Sequence, residues 1–228
     1  MISHEKKFVF VHVPRTGGTA LSNFLRPYCD EESLRFSPFV EEIGNLHASM
    51  KNYVEYYGKE ILDYTIFTIV RNPWERALSH LIHHNGGKFD RDEFRKYIFK
   101  PQENGFWPHS HFHFFVKDNF GHEPHPDGRP TVCISYPSQF SMQGMKFTQE
   151  HVYFPHFVRF ENYVNDLSKI FNKLQIQYEI KDLQRKINST SHEHYSRYYL
   201  DDEKDHIAEV CGLDLQLLGY TFKDERKT

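Results

Sequence analysis

Twice in this chain an apolar run stops at a turn and passes at once into an amphipathic segment. Phe8–Val13 (FVFVHV) meets Pro14 and the pair Gly17–Gly18, after which Ala20, Leu21, Phe24 and Leu25 fall at helical spacing, with Thr19 near the helix start. Tyr64–Val70 (YTIFTIV) is closed by Arg71-Asn72-Pro73, and Trp74-Glu75-Arg76-Ala77-Leu78 opens a second helix that continues through Leu81. Short continuous apolar runs predict buried strands. Proline is well tolerated in a first helical turn. Two strand–turn–helix units predict an α/β fold, with a parallel sheet covered by helices.

The rest of the chain extends this pattern. Thr131–Tyr136 (TVCISY) and Tyr153–Phe160 predict further strands, the second leading into a helix that carries Leu167, Ile170, Phe171 and Leu174. Asp201-Asp202-Glu203 caps a later helix whose apolar face takes in Ile207, Val210 and Cys211. Tyr195, Tyr198 and Tyr199 suit core packing with their hydroxyls outward. Residues 100–130 carry Pro, Gly and His with little periodicity and read as an irregular insertion or lid. With 228 residues and no internal repeat, residues 1–228 read as a single domain.

Bulk properties narrow the partners. The formal net charge is −3, so there is no global basic field for nucleic acid or anionic lipid, and any anion site must be local. The cysteines Cys29, Cys133 and Cys211 form no CxxC pair, a poor disulfide framework that points to a reducing compartment. The apolar run near the N-terminus is too short for a signal peptide, and no stretch is long and apolar enough to span a membrane. The expectation is a soluble, cytoplasmic protein. Its oligomeric state is not assigned.

The turn after the first strand reads Pro14-Arg15-Thr16-Gly17-Gly18-Thr19. Glycines let backbone N–H groups approach an anion, and a helix N-terminus favours negative charge. Arg15 and the hydroxyls of Thr16 and Thr19 add charge and donors. The segment is a phosphate or phosphosulfate cradle on this reading, and a glycine-rich turn with a surface arginine on the plainer one. It is not a Walker A loop, because GxxxxGK[ST] is absent. In the second unit, Arg71 stands at a strand's carboxyl end, where open α/β sheets place ligands. Ser79 follows eight residues later, about two helical turns on. An arginine fork plus a hydroxyl can hold a terminal phosphate. Alternatively, Arg71 pairs with Glu75 and Ser79 simply faces along the helix.

Together, HVPRTGGT and IVRNPWERALSHL resemble the 5′-phosphosulfate-binding loop and the 3′-phosphate-binding segment of sulfotransferases that use 3′-phosphoadenosine-5′-phosphosulfate (PAPS). The similarity is greatest to the carbohydrate branch that contains heparan sulfate 2-O-sulfotransferase and many small bacterial enzymes. Arg159-Phe160-Glu161-Asn162, Asn188-Ser189-Thr190-Ser191 with Tyr195–Tyr199, and Leu218-Gly219-Tyr220-Thr221-Phe222 fit that branch in order. The likeness runs from residue 8 to about 222 and fails mainly in 85–130.

The resemblance implies a P-loop-like three-layer fold, with a central parallel sheet flanked by helices, and transfer of a sulfuryl group from PAPS without a metal. It implies that Arg15, Thr16, Gly17, Gly18 and Thr19 hold the 5′-phosphosulfate and that Arg71 and Ser79 hold the 3′-phosphate. Ser189 and Thr190 become candidates for closing over the nucleotide. Where Arg15 stands the family usually has lysine, so the electrostatic role is expected to survive without proton donation. His47, in Asn45-Leu46-His47-Ala48-Ser49, takes the position of the branch's catalytic base, with Glu41 and Glu42 as runners-up. PAP is then the product, and a carbohydrate hydroxyl the expected acceptor.

Other clusters suggest less. His109, His111 and His113 alternate, and His80, His83 and His84 have helical spacing. Neither set comes with cysteines or an HExxH pattern, so no metal site is assigned and the histidines read as polar groups around an acceptor cleft. Trp107 and Phe112–Phe115 read as core. Two other classes stay open: a nucleotide kinase or NTPase, opposed by the missing GK[ST], and a non-catalytic PAP- or nucleotide-binding protein of the same fold.

Overall fold

The computed structural model describes residues 1–31, 33, 47–48, 50–99, 132–142, 145–153, 155–183 and 192–226. In chain order, the elements are β1 (Ile2–Ser3), β2 (Phe8–Val11), α1 (Gly18–Leu25), α2 (Met50–Tyr57), β3 (Thr65–Val70), α3 (Pro73–His84) and α4 (Arg91–Phe99). After these come β4 (Val132–Met142), β5 (Met145–Tyr153), β6 (His156–Arg159), α5 (Tyr163–Leu174), α6 (Ile180–Leu183), α7 (Asp201–Val210) and α8 (Gly212–Leu218).

The central sheet has the order β1-β2-β3-β6. β2 pairs with β3 in parallel, Phe8 opposite Thr65 and Val11 opposite Thr68, and β3 pairs with β6 in parallel, Val70 opposite Arg159. β1 is an antiparallel edge, so the sheet is mostly rather than wholly parallel. The register brings the carboxyl ends of β2, β3 and β6 to one edge. The loops that leave them carry the two motifs and the Arg159–Asn162 segment.

Alternation along the strands, with both faces covered, explains why both runs read as mostly apolar. Val9, Val11 and Ile66 face one side and pack with Met50, Tyr53 and Val54 of α2. Phe8, Phe10, Phe67 and Ile69 face the other, against Leu21 and Leu25 of α1 and Leu167, Ile170, Phe171 and Leu174 of α5. The result is a mixed α/β fold whose sheet is flanked by helices. A further apolar cluster joins Trp74, Ala77, Leu78 and Leu81 of α3 to Phe94, Ile98, Tyr195, Tyr199, Ile207 and Cys211. Inside this assembly the fully buried Glu203 is paired by Arg91 at 2.8 Å, as a buried carboxylate requires.

Several boundaries differ from the sequence expectation. The first strand ends at Val11 rather than Val13, two residues ahead of the loop that starts at Pro14. The run Tyr153–Phe160 is two elements: β5 ends at Tyr153, and β6 starts at His156 after Pro155, which has no N–H for a ladder. The strand expected over Thr131–Tyr136 extends to Met142 and pairs antiparallel with β5. Val210 is 41% exposed, so α7's apolar face holds Ile207 but not Val210, and the buried Cys211 follows directly after the helix. Tyr199 turns its hydroxyl inward, donating to the Trp74 carbonyl at 2.8 Å. Residues 100–130, with Trp107, His109, His111, His113 and Phe112–Phe115, lie outside the described residues. No described helix is long and apolar enough to cross a membrane.

Candidate functional site

Between Val11 and α1 the backbone makes two left-handed steps, at Arg15 (φ 62°) and Gly17 (φ 87°). Glycine takes that conformation freely, whereas arginine does so at a cost. Three contacts hold the strained loop. Arg76 Nε donates to the Pro14 carbonyl at 2.8 Å, Arg71 Nη1 to the Arg15 carbonyl at 3.1 Å, and Thr16 Oγ1 to the Val13 carbonyl at 2.8 Å. Thr16 is fully buried and its hydroxyl turns inward, so what Thr16 can offer an anion is its backbone. Gly18 has no room for a side chain, because a Cβ there would lie 2.2 Å from a ring carbon of His12. α1 then starts with no side-chain cap and no acidic residue in its first turn, where Thr19 stands half-buried. Such an end favours an anion.

The second segment is built differently. Asn72 caps α3, its side-chain oxygen accepting from the N–H groups of Trp74 and Glu75, and Pro73 takes the first helical position. Arg71 is 9% exposed, lies over the Phe160 ring at 4.4 Å and donates through Nη2 to Glu75 Oε1 at 2.7 Å. The alternative raised from sequence, an Arg71–Glu75 pair, is therefore present. Ser79, also buried, accepts from Arg15 Nη2 at 3.1 Å. The two motifs, read from sequence as separated anion sites, are joined through this contact. Burial and then the neighbouring charge of Arg71 lower the Arg15 pKa. Two guanidinium groups held this close form a local positive site that a bound polyanion would relieve.

His47 lies beside the first loop. Its Nδ1 is 3.0 Å from the His12 carbonyl, which can only accept, so Nδ1 carries the proton and Nε2 keeps the lone pair when the ring is neutral. Burial lowers the His47 pKa, the hydrogen bond to His12 opposes this, and the charge of Arg76 adds to the lowering. The two imidazoles meet edge to face at 4.7 Å, and burial holds His12 down to about 3. Glu41, Glu42, Ser189 and Thr190 lie outside the described residues.

Sequence reasoning missed the part played by the third strand end. Glu161 accepts from the Asn72 backbone N–H at 3.0 Å through one carboxylate oxygen and from the Tyr220 hydroxyl at 3.0 Å through the other. Phe160, 39% exposed, is in contact with Arg71 and lies 3.0 Å from where a Gly17 Cβ would stand. The available signal was position: these residues follow the third parallel strand at the edge where the other two loops lie. Next to Ser79 on α3, the His80 and His84 rings lie tilted to each other at 4.3 Å, and His80 stacks on Tyr97 at 4.9 Å. No cluster suited to a metal ion occurs among the described residues.

A family model described as "Sulfotransferase family" matches residues 1–221. No curated protein and no solved structure matches the chain.

Proposed function

The chain belongs to the sulfotransferase family, and on that premise we propose that it transfers a sulfuryl group from PAPS to a carbohydrate hydroxyl, as one domain spanning residues 1–228. The observation that carries the donor assignment is the Arg15–Ser79 contact at 3.1 Å with Arg71 anchored on the Arg15 carbonyl. It supports one polyanion site that reaches from the first loop to α3. A donor phosphorylated at both ends of its nucleoside fits such a site. The carbohydrate acceptor, and the heparan sulfate 2-O-sulfotransferase-like branch, rest on the likeness of the motifs and of the segments after β6.

PAPS, when bound, supplies the sulfuryl group, and PAP is the product. Gly17, Gly18 and Thr19 offer the uncapped start of α1 to the phosphosulfate, and Arg71 and Ser79 hold the 3′-phosphate. Arg15 keeps its positive charge near the departing phosphate oxygen. Since guanidinium does not give up a proton at working pH, Arg15 contributes charge stabilisation and not proton donation. His47 Nε2 takes the proton from the acceptor hydroxyl, and its Nδ1–H hydrogen bond to the His12 carbonyl fixes the ring's orientation. The exposed ring of Phe160, next to both loops, offers a flat apolar surface to the base.

Calorimetry with PAP, ADP and Mg-ATP tests the donor reading, with sulfate transfer from labelled PAPS to a panel of oligosaccharides testing the reaction. PAP should bind selectively, and Arg71→Ala should remove that selectivity. Tight Mg-ATP binding without PAP binding would overturn the proposal in favour of an NTPase. PAP binding with no transfer to any acceptor would favour a non-catalytic nucleotide-binding protein.

A further inference from the structure

Glu75 does not face Arg71 alone. The same carboxylate oxygen, Glu75 Oε1, lies 2.7 Å from Arg71 Nη2 and 3.4 Å from His192 Nε2. His192 comes from a distant part of the chain, just before the short turn of helix over Tyr195–Tyr198. Its side chain is 9% exposed and that of Glu75 is 20% exposed. The other ring nitrogen of His192, Nδ1, lies 2.7 Å from the Glu193 carbonyl. That carbonyl can only accept, so Nδ1 carries a proton and Nε2 is the ring atom turned to the carboxylate, where a second proton would make the imidazole a cation facing Glu75.

This arrangement meets an electrostatic problem in the donor site. A phosphate held by Arg71 must approach a guanidinium that already faces a carboxylate. Like charges close together in a site of low exposure repel, and the carboxylate also neutralises the cation that should hold the anion. A protonated ring at this distance from Glu75 would remove much of both effects. It would draw carboxylate charge towards itself and leave more of the Arg71 field for the incoming group.

We propose that Glu75 and His192 form a positioning pair that sets how strongly Arg71 holds the 3′-phosphate of the donor. The proposal rests on the reading that Arg71 binds that phosphate. Neither residue touches the reacting atoms. His192 acts through Glu75, and Glu75 acts through Arg71.

The test is the ratio of PAP to 5′-AMP affinity, measured by calorimetry on the full chain, because these ligands differ only in the 3′-phosphate. His192→Gln places a polar amide near Glu75 and removes the ring that can carry a charge. It should lower the ratio about tenfold, the scale of one charge-assisted hydrogen bond, by weakening PAP while leaving AMP unchanged. Glu75→Gln in the His192→Gln background removes the uncompensated carboxylate, and the ratio should return at least to the starting value. A merely structural role would move AMP binding in parallel and would not be rescued by removing a second charge. An unchanged ratio in His192→Gln, or no recovery in the double variant, overturns the pair while leaving the donor site standing. A starting ratio near one, or one that Arg71→Ala leaves unaltered, overturns the donor-site reading and this inference with it.

Discussion

The two strand–turn–helix units present opposite kinds of helix start to the same sheet edge. α1 begins just after Gly17 without a side-chain cap, whereas the first N–H groups of α3 are taken by the Asn72 side chain. An anion at the first unit can therefore be met by backbone, and the loop's shape carries the information: left-handed steps at Arg15 and Gly17, and no space for a Cβ at Gly18. An anion at the second unit finds those N–H groups already used and must be held by side chains, Arg71 and Ser79. The units are joined by Arg15 reaching Ser79 and Arg71 reaching the Arg15 carbonyl. Changes in the first unit should disturb geometry and chemistry together, while changes in the second should mainly alter the strength and selectivity of binding.

The sharpest break in that contrast is His47→Ala. His47 is anchored on the His12 carbonyl at the entry of the first loop, so it belongs with that unit although it comes from elsewhere in the chain. Turnover should fall by about 10²–10⁴-fold, the range for losing a general base, while PAP affinity is retained. The wild-type pH profile carries a second signature. The His47 pKa is lowered by burial, so the neutral, proton-accepting ring predominates down to a lower pH than for a free imidazole. The rate should rise with pH through a midpoint below the ordinary imidazole value of about 6.5. That limb should be absent from the residual activity of the variant. Unchanged kcat in His47→Ala would remove the residue from the mechanism.

Gly18→Ala asks how far backbone shape governs the first unit. The added Cβ would stand 2.2 Å from the His12 ring, and that ring is buried on β2's continuation with little freedom to move. Overpacking of this kind costs about 1–3 kcal/mol, read as a lowered midpoint in urea. PAP binding should weaken as well, since the start of α1 is pushed from its place. Full retention of both stability and affinity would show that the loop does not depend on this close contact.

What could be read from the sequence divides along the same line. β2 and β3 were legible because helices cover both faces of each strand, so most positions are apolar, and the buried Thr68 of β3 spends its hydroxyl on the Val11 carbonyl at 2.7 Å. The helical spacing of Leu167, Ile170, Phe171 and Leu174 was legible because all four meet one core cluster. Arg15, Arg71 and Ser79 stood out as residue types suited to anions at strand ends. Their mutual contact was not legible, because it depends on the register that places β2 beside β3. For the same reason the inward turn of the Thr16 hydroxyl and the bridging by Glu161 between Asn72 and Tyr220 were hidden. Local pattern shows which side chains could bind an anion, and tertiary contact decides which are already engaged. The Pro155 break between β5 and β6 escaped because an apolar run masked the missing donor.

The smallest effect expected is that of Asn72→Ala, and it separates cap from binding group. Asn72 accepts from Trp74 and Glu75 N–H groups, and its amide donates to the Thr221 carbonyl at 3.3 Å. Losing the cap should lower stability by about 1 kcal/mol, measured by chemical denaturation. If α3's start serves only as a scaffold for Arg71 and Ser79, PAP affinity should change little once the protein is folded. The alternative has a definite sign. With the cap gone, the N–H groups of Trp74 and Glu75 become available to an anion, and tighter PAP binding in Asn72→Ala would mean that the second unit can also use backbone. That result would erase the contrast between the two units, whereas a stability loss with unchanged affinity would uphold it.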